Sequence, residues 1–320
     1  MKFLIIRFSS IGDIVLTTPV VRCLKQQLDE AEIHFLTKKN FQGIVANNPY
    51  VDKVWVIEKK VGEVMVDLQK EKFDYVIDLH SNLRTAQVKW RLGAKNLTFD
   101  KINIQKWLMV QTKINRLPKR HIVERYLDTV VSLGIKNDGR GLDYFIPPKD
   151  EVNVSEYGKY IAFVIGAAHA TKRLPKEKII EICQQTQQTI LLLGGKDEKE
   201  IGAAIAQATG QHVINTCGNY NLNQSASLVR QANYVITHDT GLMHIAAAFQ
   251  KKIISVWGNT IPEFGMSPYY GNELNKNTSI EVKNLGCRPC SKIGFDQCPK
   301  GHFDCMNKIV LPQPLQRRGV

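Results

Sequence analysis

"KFLIIRFSSIGDIVLTTPV", residues 2–20, decides how the fold is read. Lys2 to Phe8 is an apolar run broken once, by Arg7, and it has the length of a buried strand. From about residue 14 the apolar residues recur at helical spacing. Ser9, Ser10, Ile11, Gly12 and Asp13 lie between, a short polar turn. A strand, a tight turn and a helix form the opening half of a βαβ unit, whose parallel strands are buried on both faces and therefore written as apolar runs.

The same grammar repeats outward. "EIHFLT" (32–37), "KVWVIE" (53–58) and "FDYVIDL" (73–79) are expected strands, with helical spacing over 14–28 and 61–72. A second series starts after "FIPPKDEVNVSEYG": strands at 160–166, 189–195, 212–215, 233–238 and 252–258, helices at 176–187, 198–208, 222–231 and 241–249. Two such series imply two doubly wound α/β domains, 1–155 and 156–320. In doubly wound sheets ligands bind beyond the carboxyl ends of the strands, so the loops after the strands are where chemistry is expected.

The chain has 320 residues, 43% of them hydrophobic, enough for two cores. No stretch reaches the roughly 18 uninterrupted apolar residues of a membrane span, and the N-terminal run lacks a signal-peptide cleavage site, so a cytoplasmic protein is expected. The net charge is +13, and residues 82–126 carry eleven basic and two acidic residues. That concentration points to an anionic partner, whether nucleic acid, phosphorylated glycan or membrane surface; a solvated helical face is the plain alternative. Trp90, Trp107, Leu108 and Met109 within it suit an interfacial surface.

Four loops carry candidate chemistry. In "SSIGD" Gly12 permits a sharp turn and close approach of a ligand, and Asp13 stands at a helix start, either as a cap or as a general base. In "GAAHATKRLPKEK" (166–178), Thr171, Lys172 and Arg173 precede a helix whose first turn suits Pro175; they make either a phosphate site or an exposed basic loop. In "LLLGGKDEKE" (191–200), Gly194 and Gly195 leave room for a ligand, and Glu198 either binds ribose hydroxyls or charges a helix start. In "THDTGLMHIAAA" (237–248), Thr240 is an expected helix cap, Gly241 lets a ligand reach the helix N-terminus, and His244 lies one turn on. "DTG" also occurs in aspartic proteases, but the helical run that follows excludes that reading. There is no G-x-G-x-x-G in the first loop and no P-loop anywhere.

Taken together these residues resemble the heptosyltransferases, glycosyltransferase family 9. "RFSSIGDIVLTTPV" is similar to the family's N-terminal signature, "HDTGLMHIAAA" to its D-T-G-x-x-H donor signature, and "KRLP" and "GGKDE" to two further patterns. The resemblance implies a GT-B fold: two Rossmann-like domains facing across a cleft, the first binding the acceptor, the second the nucleotide-sugar donor and carrying a Cys-rich tail. It implies that Asp13 is the catalytic base, with Ser10, Gly12 and Arg84 on the acceptor side. Thr171 and Lys172 would bind the donor diphosphate, Glu198 the ribose, and Asp239, Thr240, Gly241 and His244 the diphosphate and sugar. The implied reaction is inverting transfer of heptose from ADP-heptose to an anionic lipopolysaccharide inner-core acceptor of the Gram-negative envelope. It needs no catalytic metal, and the implied location is the cytoplasmic face of the inner membrane, in peripheral contact with it. A related transferase using another nucleotide-sugar, or an inactive binder of anionic ligands on the same scaffold, are the alternatives; nucleic acid is the disfavoured partner.

The tail "CRPCSKIGFDQCPKGHFDC" places Cys287, Cys290, Cys298 and Cys305 at x2, x7 and x6 spacing. The opening pair suits a structural zinc ion; unliganded thiols or partial disulfides are the alternatives. Cys23, Cys183 and Cys217 stand in apolar surroundings and read as core thiols.

Overall fold

The computed structural model describes residues 1–311. Its first sheet contains β1 (Lys2–Ile6), β2 (Glu32–Lys38), β3 (Lys53–Ile57), β4 (Tyr75–Asp78) and β5 (Lys95–Thr98), all parallel, in the order β3-β2-β1-β4-β5. Its second contains β6 (Tyr160–Val164), β7 (Thr189–Leu193), β8 (Val213–Asn215), β9 (Tyr234–His238), β10 (Ile253–Trp257) and β11 (Asn277–Glu281), also parallel, in the order β11-β10-β9-β6-β7-β8. The order reverses between β1 and β4 in the first sheet and between β9 and β6 in the second. At such a reversal the connections leave for opposite faces and open a crevice.

The central strands are apolar because both faces are covered. Phe3, Leu4, Ile5 and Ile6 of β1 are fully buried, as are Ile161, Ala162 and Phe163 of β6. Each large aliphatic side chain so buried contributes roughly 1.5–3 kcal/mol. β5 and β11, the two strands the sequence reading lacked, are short edge strands with mostly polar, exposed residues, so they carry no apolar run. The helix expected over 14–28 is two helices, Ile11–Val15 and Thr18–Gln27, the second with Pro19 in its first turn.

The chain divides between Phe145 and Ile146, ahead of the expected 155, and two segments cross over. Residues 103–119 group with the second unit, and 269–274 with the first. Side chains explain both, and also why 120–145 stays with the first unit. Arg22, fully buried on the helix Thr18–Gln27, clasps Asp138 at 2.7 Å, the Gly141 carbonyl at 2.9 Å and the Asp143 carboxylate. Gly271 lies so close to Gly139 that a Cβ there would sit 2.0 Å from the Gly139 carbonyl oxygen, and its φ of +66° also asks for glycine. Tyr269 stacks on His121 at 4.7 Å. In the other unit Lys113 donates to the carbonyls of Pro289, at 2.7 Å, and Cys287, at 3.3 Å.

Candidate active site

In the first unit the loop leaving β1 sits at the strand-order reversal. Ser10 is extended and occupies the N-cap of Ile11–Val15. Asp13, the third residue of that helix, reaches back: one carboxylate oxygen accepts from the Ser10 hydroxyl at 2.7 Å and from its backbone N–H at 3.2 Å. The other pairs with Arg7 at 2.7 Å. Asp13 therefore is a cap, and it is also a held carboxylate with a fifth of its side chain exposed (20%). Arg7 is buried and fully engaged, donating to Ser9 O at 2.8 Å, to the Tyr126 hydroxyl at 2.9 Å and to the Leu79 carbonyl.

His80, just past β4, meets Phe8 edge-on at 5.3 Å. Burial, then the charges of Arg7 and Lys101, push its imidazole down to about 4, so it is neutral at pH 7. Gly12 does not make the sharp turn expected of it. It is buried inside the helix and is not among the residues of positive φ. Arg84 is exposed in the first turn of the helix Leu83–Leu92.

In the second unit the loops after β6 and β9 flank the reversal. Lys172 and Asp239, 67 residues apart, pair at 2.6 Å with side chains 15% and 12% exposed. The Thr260 hydroxyl donates to the same Asp239 oxygen at 3.0 Å. Gly241 opens the helix Gly241–Ala248, in which His244 is buried. Thr240 holds the N-cap position, but its hydroxyl makes no capping bond; it lies 3.4 Å from the Thr237 hydroxyl. His238 is fully buried, and its Nε2 accepts from the Leu174 N–H at 3.0 Å, fastening the end of the β6 loop to β9. Burial pushes this imidazole down to about 4, against an opposing, weaker pull upward from the Gly166 backbone carbonyl.

Two expectations are corrected here. The glycines near Glu198 do not leave a vacancy for a ligand. A Cβ on Gly194 would lie 2.7 Å from Glu198 Cβ, and one on Gly166 2.9 Å from its carboxylate carbon. The space belongs to Glu198, whose carboxylate accepts from Gly195 N at 2.8 Å and lies 3.4 Å from Arg173. Thr171 does not present a hydroxyl to a phosphate. It is buried, donates to the Phe295 carbonyl at 3.1 Å and accepts from the Phe295 N–H at 2.8 Å.

The Cys-rich tail thus braces the loops after β6 and β10. Besides the Phe295 staple, Cys290 N donates to Asn259 O at 3.2 Å, and the largely covered side chain of Arg288 donates to Thr260 O at 3.0 Å, Val282 O at 2.9 Å and the Gly258 carbonyl, with Glu281 as its ion pair at 3.0 Å. Arg7, His80, Tyr126, His238, Thr260 and Arg288 escaped the sequence reading, because each is an isolated polar residue that only folding brings to a site.

The tail thiols are less gathered than their spacing suggests. Cys287 Sγ stands 3.8 Å from His302 Nε2, and Cys290 Sγ donates to the Cys287 carbonyl at 3.0 Å. Burial, then neighbouring Cys287, pushes the Cys290 thiol up to about 11; burial pushes Cys305, which packs in the core with Met306 and Ile309, up to about 12. Among the described residues the metal-type ligand atoms that do lie within 4.8 Å of one another belong to Glu32, His34 and Glu71. There Lys2 and Lys53 already supply the positive charge, 2.8 and 2.6 Å from Glu71.

Residues 61–297, well over half of the chain, match the family described as "Glycosyltransferase family 9 (heptosyltransferase)". The chain belongs to glycosyltransferase family 9. It is a glycosyltransferase of that family by sequence, and the matched span takes in the loops after β6 and β9. It is 24% identical over 306 residues to lipopolysaccharide heptosyltransferase 1 of Campylobacter coli, 87% of each chain being covered. Among solved structures it is similar to a family 9 glycosyltransferase from Veillonella parvula (TM-score 0.70, 22% identity, 87% of this chain and 86% of that one). It is also similar to Escherichia coli ADP-heptose lps heptosyltransferase II (TM-score 0.69, 20% identity, 96% and 98%). These likenesses establish the GT-B class of the two doubly wound sheets. The family 9 match begins at residue 61, so the Asp13 loop lies outside it.

Proposed function

We propose that this family 9 glycosyltransferase moves heptose from ADP-heptose to an anionic lipopolysaccharide inner-core acceptor, with inversion at the anomeric carbon. The observation that carries the reading is the pairing of Lys172 with Asp239 at the β6–β9 reversal, beside the N-terminus of Gly241–Ala248. A cation, a helix start and a glycine together suit a diphosphate. The donor named for the Escherichia coli relative is ADP-heptose.

The chemistry follows from the groups. The acceptor oxygen bonds to the anomeric carbon from the face opposite the diphosphate, its proton passes to Asp13, and the sugar–diphosphate bond breaks. Lys172 turns from Asp239 to the departing ADP and balances its charge. Glu198, held by Gly195 N–H, accepts hydrogen bonds from the ribose. Asp13, already bonded to Ser10 and Arg7, is a weak base, so it takes the proton late, once the acceptor oxygen has become acidic. The reaction needs no catalytic metal. A structural zinc ion on Cys287, Cys290, Cys298 and Cys305 is a separate proposal; metal analysis of the purified protein tests it, and protein without zinc at full thiol content refutes it.

Peripheral residence at the cytoplasmic face of the inner membrane belongs to the same proposal. No helix among the described residues is long and apolar enough to cross a membrane.

A donor panel tests the function. ADP-heptose should raise the melting temperature more than UDP- or GDP-sugars do. Asp13→Ala should keep that shift and lose 10²-fold or more in transfer. Equal shifts by all donors would reject ADP-heptose, and near-normal turnover of Asp13→Ala would reject the base.

A further inference from the structure

The helix Asn103–Thr112, "NIQKWLMVQT", has no buried residue, although five of its ten are large and apolar. A helix with Ile, Trp, Leu, Met and Val ordinarily hides them against a core. Here Ile104 is 74% exposed and Trp107 57%, and Leu108, Met109 and Val110 are only partly covered. Ile104, Trp107 and Gln111 are three and four residues apart, so they share one face; Ile114, just past the helix, is 54% exposed.

The surrounding charge is of one sign. Residues 103–119 contain Lys106, Lys113, Arg116 and Lys119 and no acid. Lys113 also ties the end of the segment to the tail loop through the Cys287 and Pro289 carbonyls, which holds the helix to the second unit. A protein partner could cover the apolar face, but it would need a matching acidic rim. A bilayer of anionic phospholipid offers both requirements at once: an apolar layer for Ile104 and Trp107, and negative headgroups for the lysines and arginine. Trp in particular settles at that boundary, with its ring in the headgroup region.

We propose that Asn103–Thr112 is a membrane-docking helix, lying in the plane of an anionic bilayer with Ile104, Trp107 and Ile114 inserted and Lys106, Arg116 and Lys119 against the headgroups, while Lys113 holds the segment to the tail loop. This rests on the reading of the protein as a transferase whose acceptor is membrane-borne, and it identifies the element that meets the membrane. A short helix of this kind binds reversibly, and its binding depends on salt, because screening weakens the headgroup attraction.

The full-length protein is mixed with vesicles of phosphatidylethanolamine containing 30% phosphatidylglycerol, or of phosphatidylcholine alone, and floated on a gradient. Wild type should float with the anionic vesicles and stay down with phosphatidylcholine or in 0.5 M salt. The double variant Ile104→Glu/Trp107→Glu should lose tenfold or more of that partitioning at an unchanged melting temperature. With an acylated acceptor in vesicles its transfer rate should drop by a similar factor, and with a deacylated, water-soluble acceptor it should match wild type. Unchanged flotation of the variant overturns the docking helix, as does flotation that ignores lipid charge. Self-association of wild type through this face, lost in the variant without any lipid effect, also overturns it, in favour of a second copy as the occupant. Failure of wild type to transfer to either acceptor strikes the functional reading instead.

Discussion

Asp13 and Asp239 stand at equivalent places, the carboxyl-end loops beside the strand-order reversals of their sheets, and each is paired with one cation. The pairs are built differently. Arg7 is a rigid fork, buried and spent on Ser9, Leu79, Tyr126 and Asp13. It is a permanent mounting for the acid. Lys172 is a point charge on a flexible stem, paired with Asp239 at 2.6 Å. It can leave that partner when a stronger anion arrives. In the proposed reaction a base has to be aimed, whereas a charge that serves a leaving group has to be free to follow it. The loop carrying Lys172 is held at its backbone and its neighbours as well, by the Thr171–Phe295 staple and the His238–Leu174 bond, so it does not depend on the ammonium's ion pair alone.

The largest break of this contrast is Lys172→Met. It should lower kcat/KM by about 10²–10³ while the fold stands, the effect of removing one charge-stabilising donor. Transfer kinetics with thermal melting as the control measure it, and a loss under fivefold would mean that Lys172 is only Asp239's counter-ion.

The two regions also share a feature that acid can probe. His80 and His238 are each pushed down to about 4, chiefly by burial, from an ordinary value of 6.5. Between those values the unfolded chain binds protons that the native state refuses. Stability is therefore full above pH 7, falls as pH drops through 6.5, and levels off below about 4. Fully buried His238 can account for up to about 3 kcal/mol of that fall, and partly exposed His80 for less. Urea unfolding at pH 7.5, 5.5 and 4.5 should show it, with His238→Gln flattening most of the slope; an unaltered slope in that variant would assign the loss elsewhere.

The smallest effect sharpens the comparison. Arg7→Lys keeps the charge but loses the fork, so it should lower kcat by about tenfold, leave the donor KM alone and cost little in donor binding. A rise in donor KM of the same size would show that Arg7 supports the fold at large and not the aim of Asp13.

Much of this was legible beforehand for a physical reason. Parallel strands buried on both faces write themselves as apolar runs, and the edge strands β3 and β8 kept enough apolar residues to be read; of the eleven strands among the described residues, the polar edge strands β5 and β11 have no such signature. Loops that carry Asp, Glu, Lys or Gly after a strand announce polar chemistry, and Lys172, Asp239 and Glu198 stand out in the sequence that way. What a hydroxyl or a glycine does there was not legible. Thr171 looks the same in sequence whether it faces a phosphate or the Phe295 backbone, and Gly194 whether it admits a ligand or Glu198. Arg7 reads as an interruption of a strand until Tyr126, 119 residues on, is brought beside it.

The exchange of segments bears on how the chain can be cut. Residues 1–145 lack Tyr269–Leu274, whose Gly271 fits against Gly139 and whose Tyr269 covers His121. Residues 146–320 lack Lys113 and the helix before it, which belong with their tail loop. Neither half of the gene therefore encodes a whole module. A recombination that swaps one N-terminal half for another at residue 146 would carry a foreign helix into the second unit and leave a foreign turn to close the first. Exchange of a whole first unit between such chains calls for three pieces moved together, a demand that ties the history of residues 103–119 and 269–274 to the units they serve, whichever half of the chain they are written in.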